Sequence, residues 1–288
     1  MQSDTTQKLI ELFELEQIDQ NFFRANCLQM GGTHIFGGQL LAQALVAAAK
    51  TTQHREAHSL HGYFIKSGNS HFPILYEVMI LRDGQSFATR QVYAYQDGEI
   101  LFYAMVSFAK TEQGLEYQKD HPDYPAPATL ATEQQYKLDN AFCIPEHYRD
   151  IYMRNFNIDV RPTEFVIPAH GDALAPKYAE YLKTYQTIEG KQDQNIMHQA
   201  IAAYYSDYNL LSVSFRPHGI NYLEKSVRTL SLDHAIYFHR PFRVDQWVLY
   251  ETNTTLSAQT RAMNYGQMWQ DGHLVCSTTQ ESLIRKRS

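Results

Sequence analysis

Asp207 and Gln280 are the residues whose type and placement in this 288-residue chain could do chemistry. At about 100° per residue, Ile196, Ala200, Ala203 and Asp207 fall on one stripe of a helix. A helix that runs this far aims the carboxylate at whatever the apolar residues cover, and a buried carboxylate needs a reason to be there. A second reading ends the helix near Tyr205 and makes Ser206-Asp207-Tyr208-Asn209 a polar turn, with Asp207 hydrogen-bonded to local backbone. Both readings stand at this level.

Gln280 stands out by comparison with another part of the chain. When the last strand-like runs of the two halves are aligned on their Asp-Gly pairs, Ile100, Phe102, Ala104, Val106 and Phe108 lie opposite Leu274, Cys276, Thr278, Gln280 and Ser282. Side chains two apart share a face of a strand, so Gln280 fills an apolar slot of its sister. A buried amide must be paired, and polarity kept in one copy only suggests one retained active site. The plainer reading is a Gln on a wet strand face, which Thr278 and Ser282 favour.

Other polar residues are less telling alone. Ser231 sits near a strand end with no Gly-x-Ser-x-Gly elbow around it. His58 and His61, three apart in a strand-like run, are expected on opposite faces, which disfavours a shared metal. Asp233 and His234 are neighbours on a strand and should also point apart, so a structural role is the default for each histidine. Gly37-Gly38, ahead of a helix, allows close backbone approach and presents N–H groups such as an oxyanion or phosphate would need; tight packing explains the pair equally well. Cys27, Cys143 and Cys276 are odd in number and lack a C-x-x-C pair, so neither zinc nor a disulfide framework is indicated and a reducing compartment is expected.

The elements that must hold these residues come in two similar sets. A helix from Gly38 to Lys50 precedes strand-like runs at His58 to Ile65, Pro73 to Leu81, Ser86 to Tyr95 and Glu99 to Phe108. A helix from Asn195 to Asp207 precedes runs at Thr229 to His239, Gln246 to Asn253, Ala258 to Met268 and His273 to Ile284. Gly62-Tyr63-Phe64-Ile65-Lys66 resembles Ile236-Tyr237-Phe238-His239-Arg240, and Gln96-Asp97-Gly98 recurs as Gln270-Asp271-Gly272, both at an offset of 174 residues. Thr89-Arg90 pairs less directly with Thr260-Arg261. The helix Leu40 to Ala49 is apolar nearly all round and so should be enclosed, as a curved antiparallel sheet would enclose it. Met1 to Gln17 reads as an amphipathic helix. Residues 1–112 and 158–288 are read as two units, with the Pro-rich residues 113–157 as the connection.

Composition narrows the function. Hydrophobic residues make up 44% and charged residues 19%, a globular composition, and the net charge of −6 offers no general attraction to nucleic acid or anionic lipid. The longest apolar stretch, Leu40 to Ala49, is too short to span a bilayer. The N-terminus lacks the apolar core of a signal peptide, and the last residues do not match the peroxisomal tripeptide, so the cytoplasm is the expected compartment.

Several ordered segments together resemble the type II acyl-CoA thioesterases, the bacterial thioesterase II and its peroxisomal relatives. They are His34-Ile35-Phe36-Gly37-Gly38-Gln39, His58-Ser59-Leu60-His61-Gly62-Tyr63-Phe64, Leu81-Arg82-Asp83-Gly84-Gln85-Ser86-Phe87, Ser206-Asp207-Tyr208-Asn209, Leu232-Asp233-His234 with Phe238-His239-Arg240-Pro241-Phe242, and Thr279-Gln280-Glu281. The resemblance implies an α+β double hotdog: two tandem units, each a long helix wrapped by a curved antiparallel sheet. It places the family's catalytic Asp, Thr or Ser, and Gln on Asp207, Ser231 and Gln280, with His58 and Gly38 as accessory candidates. It further implies hydrolysis of medium- to long-chain fatty acyl-CoA to fatty acid and CoA, no cofactor or metal, and a homo-oligomer, dimer or tetramer. An enoyl-CoA hydratase or dehydratase on the same fold would need an acid-histidine pair, for which Asp233-His234 is the nearest candidate. A non-catalytic acyl-CoA binding module would lack the acid.

Overall fold

The computed structural model describes residues 5–29, 33–144, 146, 149, 152–155, 157–165, 171–188, 194–220 and 227–286. In chain order the regular elements are helix α1 (Thr5–Phe13), strands β1 (Glu16–Asp19) and β2 (Phe22–Ala25), helix α2 (Gly37–Ala49), then β3 (Glu56–Phe64), β4 (Ile74–Asp83), β5 (Phe87–Gln96) and β6 (Glu99–Ala109). Helix α3 (Glu133–Asp139) lies between the halves. The second half holds β7 (Asp159–Pro162), β8 (Lys177–Lys183), helix α4 (Gln194–Ser206), β9 (Val227–Ser231), β10 (Asp233–Phe238), β11 (Val248–Ala258), β12 (Arg261–Gln270) and β13 (His273–Lys286).

All thirteen strands join one antiparallel sheet in the order β1-β2-β4-β5-β6-β3-β10-β13-β12-β11-β8-β7, with β9 also paired to β13. Each half wraps its sheet around its own helix, the expected α+β double hotdog. Every residue of α2 from Gly38 to Ala48 is buried, as its all-round apolar sequence requires. Two of them are polar and satisfied: Gln43 donates to the Leu12 and Asn26 carbonyls and accepts from the Tyr76 hydroxyl, and Gln39 accepts from the Leu28 N–H. α2 and α4 run alongside one another in a shared core.

The duplication is visible in the register. Asp97 and Gly98 take φ of 49° and 76°, and Asp271 and Gly272 take 49° and 79°, the two successive left-handed residues of a type I′ hairpin. The halves meet where β3 pairs with β10, and the central partners His61 and Ala235 are sister positions at the offset of 174. A local two-fold therefore passes through this strand pair.

The structure departs from the sequence reading in several places, beginning with the outer strands β1, β2, β7 and β8 and helix α3, which that reading does not contain. The run expected from Thr229 to His239 is two strands broken at Leu232, whose N–H goes to Glu281. Thr89-Arg90 does not match Thr260-Arg261: Arg90 pairs with Val106, and the residue paired with its sister Gln280 is Asn264. The N-terminal helix stops at Phe13 and is followed by β1. His58 and His61 do not face opposite ways. The β3–β6 register slips by one residue between Ala57 and Ser59, so His58 is an extra residue that bonds outer-face Ser107, and His61 is exposed on that outer face too. Among the described residues no cluster could hold a metal ion, and no helix is long and apolar enough to cross a membrane.

Candidate active site

α4 ends at Ser206, so Asp207 is the first residue of the following turn, yet it remains on the buried stripe at 7% exposure. Both sequence readings held part of the truth, since the turn exists and its acid faces inward. Ser231 Oγ donates to Asp207 Oδ1 at 3.1 Å, Gln280 Nε2 donates to the same oxygen at 2.5 Å, and the backbone N–H of Gly38 also donates to the carboxylate. Burial pushes the Asp207 pKa up to about 6, with the Gln280, Ser231 and Gly38 hydrogen bonds pulling the other way.

The turn is clamped on both sides of the acid. Tyr205 Oη donates to Glu180 Oε1 at 2.9 Å and Asn209 Nδ2 to Glu180 Oε2 at 2.9 Å. Tyr250 Oη donates to the Ser206 carbonyl at 2.9 Å, and Tyr208 Oη to Glu133 of α3 at 2.5 Å. Glu180 is itself buried, and burial, with the Glu133 charge second, raises its pKa to about 8. The turn is thus anchored to β8, β11 and α3, leaving Asp207 little freedom to swing.

Gln280 and His234 form the opposite wall. Ser206 Oγ gives its one hydrogen to the Ala203 carbonyl at 2.8 Å, so it can only accept from His234 Nε2, also at 2.8 Å. His234 Nδ1 must then be the bare nitrogen, and it accepts from Gln280 Nε2 at 3.1 Å. The Gln280 amide thereby divides its two hydrogens between Asp207 and His234, while its Oε1 accepts from Ser282 Oγ at 3.0 Å. Burial drops the His234 pKa to about 3, so its 3.9 Å approach to Asp207 is between a neutral ring and a carboxylate and is not an ion pair. A fixed neutral histidine holding a fixed amide, which holds a carboxylate able to titrate near neutrality, is an arrangement that can orient a single general base.

The acyl-CoA thioesterase family description matches residues 148–283, and that of the acyl-CoA thioesterase N-terminal domain matches residues 26–109. Acyl-CoA thioesterase 2 of Haemophilus influenzae is 33% identical over 286 residues, covering 98% of this chain and 99% of that protein. The chain belongs to the acyl-CoA thioesterase family. As a member it is a thioester hydrolase. Acyl-coenzyme A thioesterase 8 of Homo sapiens is likewise 33% identical, covering 95% of this chain and 88% of that one. The solved acyl-CoA thioesterase II of Mycobacterium marinum superposes with a TM-score of 0.76 at 29% identity, covering 98% of each chain.

Two glycines let the thioesterase's helices meet. A methyl group on Gly38 would lie 2.1 Å from the Tyr204 carbonyl oxygen and 2.5 Å from the Phe36 ring, which packs edge-on against Tyr204. A methyl on Gly37 would lie 2.6 Å from Asp207 Oδ2 and 3.0 Å from the Phe64 ring. Close packing and N–H donation, which the sequence offered as alternatives for this pair, are both present. The two positions should separate in mutants. Gly38→Ala forces the helices apart and should cost about 1–3 kcal/mol, read from a urea midpoint. Gly37→Ala should lose less stability but roughly 100-fold in kcat, because it displaces the acid itself.

Of the sequence candidates, Asp207, Ser231, Gln280 and Gly38 converge, and His58 does not. Its Nε2 bonds Ser107 Oγ at 2.8 Å and its ring meets Phe87 on the outer side of the sheet, because the bulge turns it away from the helix. His234 is the member that sequence reasoning left aside. Asp233 does point the other way, accepting the Glu281 N–H, which is why the pair offered no signal as a pair. The signal lay in the sister copy. Ser231 pairs with Ser282 as Ala57 pairs with Phe108, and the offset of 174 also matches His234 to Leu60. All three polar wall residues of the second half thus replace Ala57, Leu60 and Val106, each buried in the first.

Proposed function

We propose that Asp207 drives direct attack of water on the thioester carbonyl of medium- to long-chain fatty acyl-CoA, releasing fatty acid and CoA. The observation that carries this reading is the divided use of the carboxylate. Oδ1 takes both side-chain hydrogen bonds, whereas Oδ2 faces the first turn of α2. Ser231 Oγ gives its hydrogen to Asp207 and keeps lone pairs with which to accept from a water. Oδ2 then takes a proton from that water as its oxygen bonds to the carbonyl carbon. The C–S bond breaks in collapse of the tetrahedral intermediate, and the proton leaves with the thiolate. The Gly37 N–H, at the positive end of the α2 dipole, suits the developing oxyanion, the Gly38 and Gln39 N–H groups being directed to Asp207 and to the Phe36 carbonyl.

One observation speaks for water over a histidine-activated acyl-enzyme on Ser231: His234 has neither nitrogen free to serve as its base. The dehydratase alternative loses Asp233-His234, which face opposite sides of β10, and His234 beside Asp207 has both nitrogens committed to Ser206 and Gln280.

Free thiol released from decanoyl-CoA tests the reading. The base must be ionised, so kcat/KM should rise tenfold per pH unit below about pH 6 and level off above it, following the Asp207 pKa of about 6. A profile flat down to about pH 4.5 would exclude Asp207 as the base. The same reading divides the chain into units at 1–112 and 158–288, supported by the absence of any described strand between Ala109 and Asp159. It places the protein in the cytoplasm, supported by three unpaired cysteines, and as a homo-oligomer, supported by the open edges of β1 and β7 at the ends of the sheet.

A further inference from the structure

The local two-fold that relates the halves builds the same space twice, once at each end of the α2–α4 pair. The end opposite Asp207 opens into a cavity of about 940 Å³. Its lining identifies it as the sister of the catalytic end. Lys50 follows the last residue of α2 as Asp207 follows the last residue of α4, and Asn195 stands second in α4 as Gly38 stands second in α2. Ala57, the sister of Ser231, completes the set, and all three line this cavity. The catalytic set is not repeated here: at the sister positions an ammonium replaces the Asp207 carboxylate and a methyl group replaces the Ser231 hydroxyl, while exposed His54 shares the lining.

What is left suits a different ligand part. Val46, Ala49, Phe108, Ile196 and Met197 form an apolar wall, and the volume lies within the range of small-molecule sites. Lys50 is exposed and, among the described residues, has no ion-pair partner. The N-terminal end of α4, thirteen residues long, faces the same space and adds its positive dipole end. Arg55 is also on the wall, with its guanidinium donating to the Gly84 and Gln53 carbonyls, and Glu14 and Glu56 stand exposed on the rim.

We propose that this cavity is a second, non-catalytic site that holds a fatty acid, its carboxylate against Lys50 and its chain along the Val46 to Met197 wall. The site follows from the duplication; the choice of ligand rests on the hydrolytic reading above, because a fatty acid is that reaction's product. Decanoate labelled with carbon-13 at the carboxyl, titrated into the full chain and followed by NMR, tests it. A bound carboxyl resonance is expected whose affinity falls about tenfold or more in Lys50→Glu, by loss of a charge-assisted contact, and in Ala49→Phe, by filling of the cavity. Hydrolysis of decanoyl-CoA by both variants should stay within about twofold of the parent, since neither residue touches the catalytic end. Absence of a bound resonance, or one with unchanged affinity in both variants, overturns the proposal. Decanoate bound at Lys50 by a chain that fails to hydrolyse decanoyl-CoA would sink the hydrolytic reading and leave the second site standing.

Discussion

Asp207→Asn is expected to lower kcat for decanoyl-CoA by about 1,000-fold or more while moving KM by less than about threefold. The amide is the same size but cannot accept a proton, so what disappears is an interaction made only as the water attacks. A single turnover of the parent in oxygen-18 water should put the label in the fatty acid; label on the Asp207 carboxylate would instead mean that the acid itself attacks. The same variant makes a stability prediction of known sign. Burial lifts the folded-state pKa from 3.8 to about 6, so the folded chain holds this proton up to about pH 6 while the unfolded chain has already released it. The resulting advantage of the native state is full below 3.8 and lost as pH rises through about 6, leaving an ionised, buried group that costs roughly 3 kcal/mol. A neutral amide carries no such dependence. The stability of the variant minus that of the parent should therefore become more positive between about pH 4.5 and pH 8, whatever constant misfit the amide hydrogens cause among three donors. A difference that stays flat would mean the carboxylate is better solvated than its position implies.

How much of this was legible in sequence depended on whether the signal was local. The enclosed helix α2 was readable from Leu40 to Ala49, because a helix apolar on all sides has nowhere to lie except inside a sheet. Asp207 was readable from periodicity, and Gln280 from an apolar slot in its sister strand. The outer strands were not. All four residues of β1 are exposed, so no alternation marks it, and β8 carries Glu180 at a buried position, which breaks the pattern expected of a strand. Glu180 makes physical sense only beside Tyr205 and Asn209, residues 25 and 29 positions away. His234 and Ser231 were hidden differently. Each is ordinary within its own strand, and each becomes conspicuous when set against Leu60 or Ala57, so the comparison that exposed Gln280 needed only to be extended to β9 and β10, the strands that pair with β13 on its other side. His58 misled for a reason no alternation could show, namely an extra residue in β3.

That comparison also suggests the most informative substitution after Asp207. Gln280→Val installs the residue that the sister half already carries at position 106, within the same hairpin register, so the backbone is known to accept it. The loss is then electrostatic. Asp207 Oδ1 keeps only the Ser231 side-chain donor, and His234 Nδ1 and Ser282 Oγ each lose a partner. A drop of about 100- to 1,000-fold in kcat is expected if the amide's task is to fix the carboxylate in its working orientation. Part of any drop could instead reflect protonation, because the Gln280 hydrogen bond is one of those holding the Asp207 pKa down, and its removal pushes that pKa further up. The two causes part company with pH. An acid limb displaced to higher pH, with full activity regained on the alkaline plateau, would reduce Gln280 to a tuner of proton affinity. A limb displaced in the same direction but with a plateau still about 100-fold low would show that orientation dominates, the outcome that an amide committed on both hydrogens to Asp207 and His234 leads us to expect.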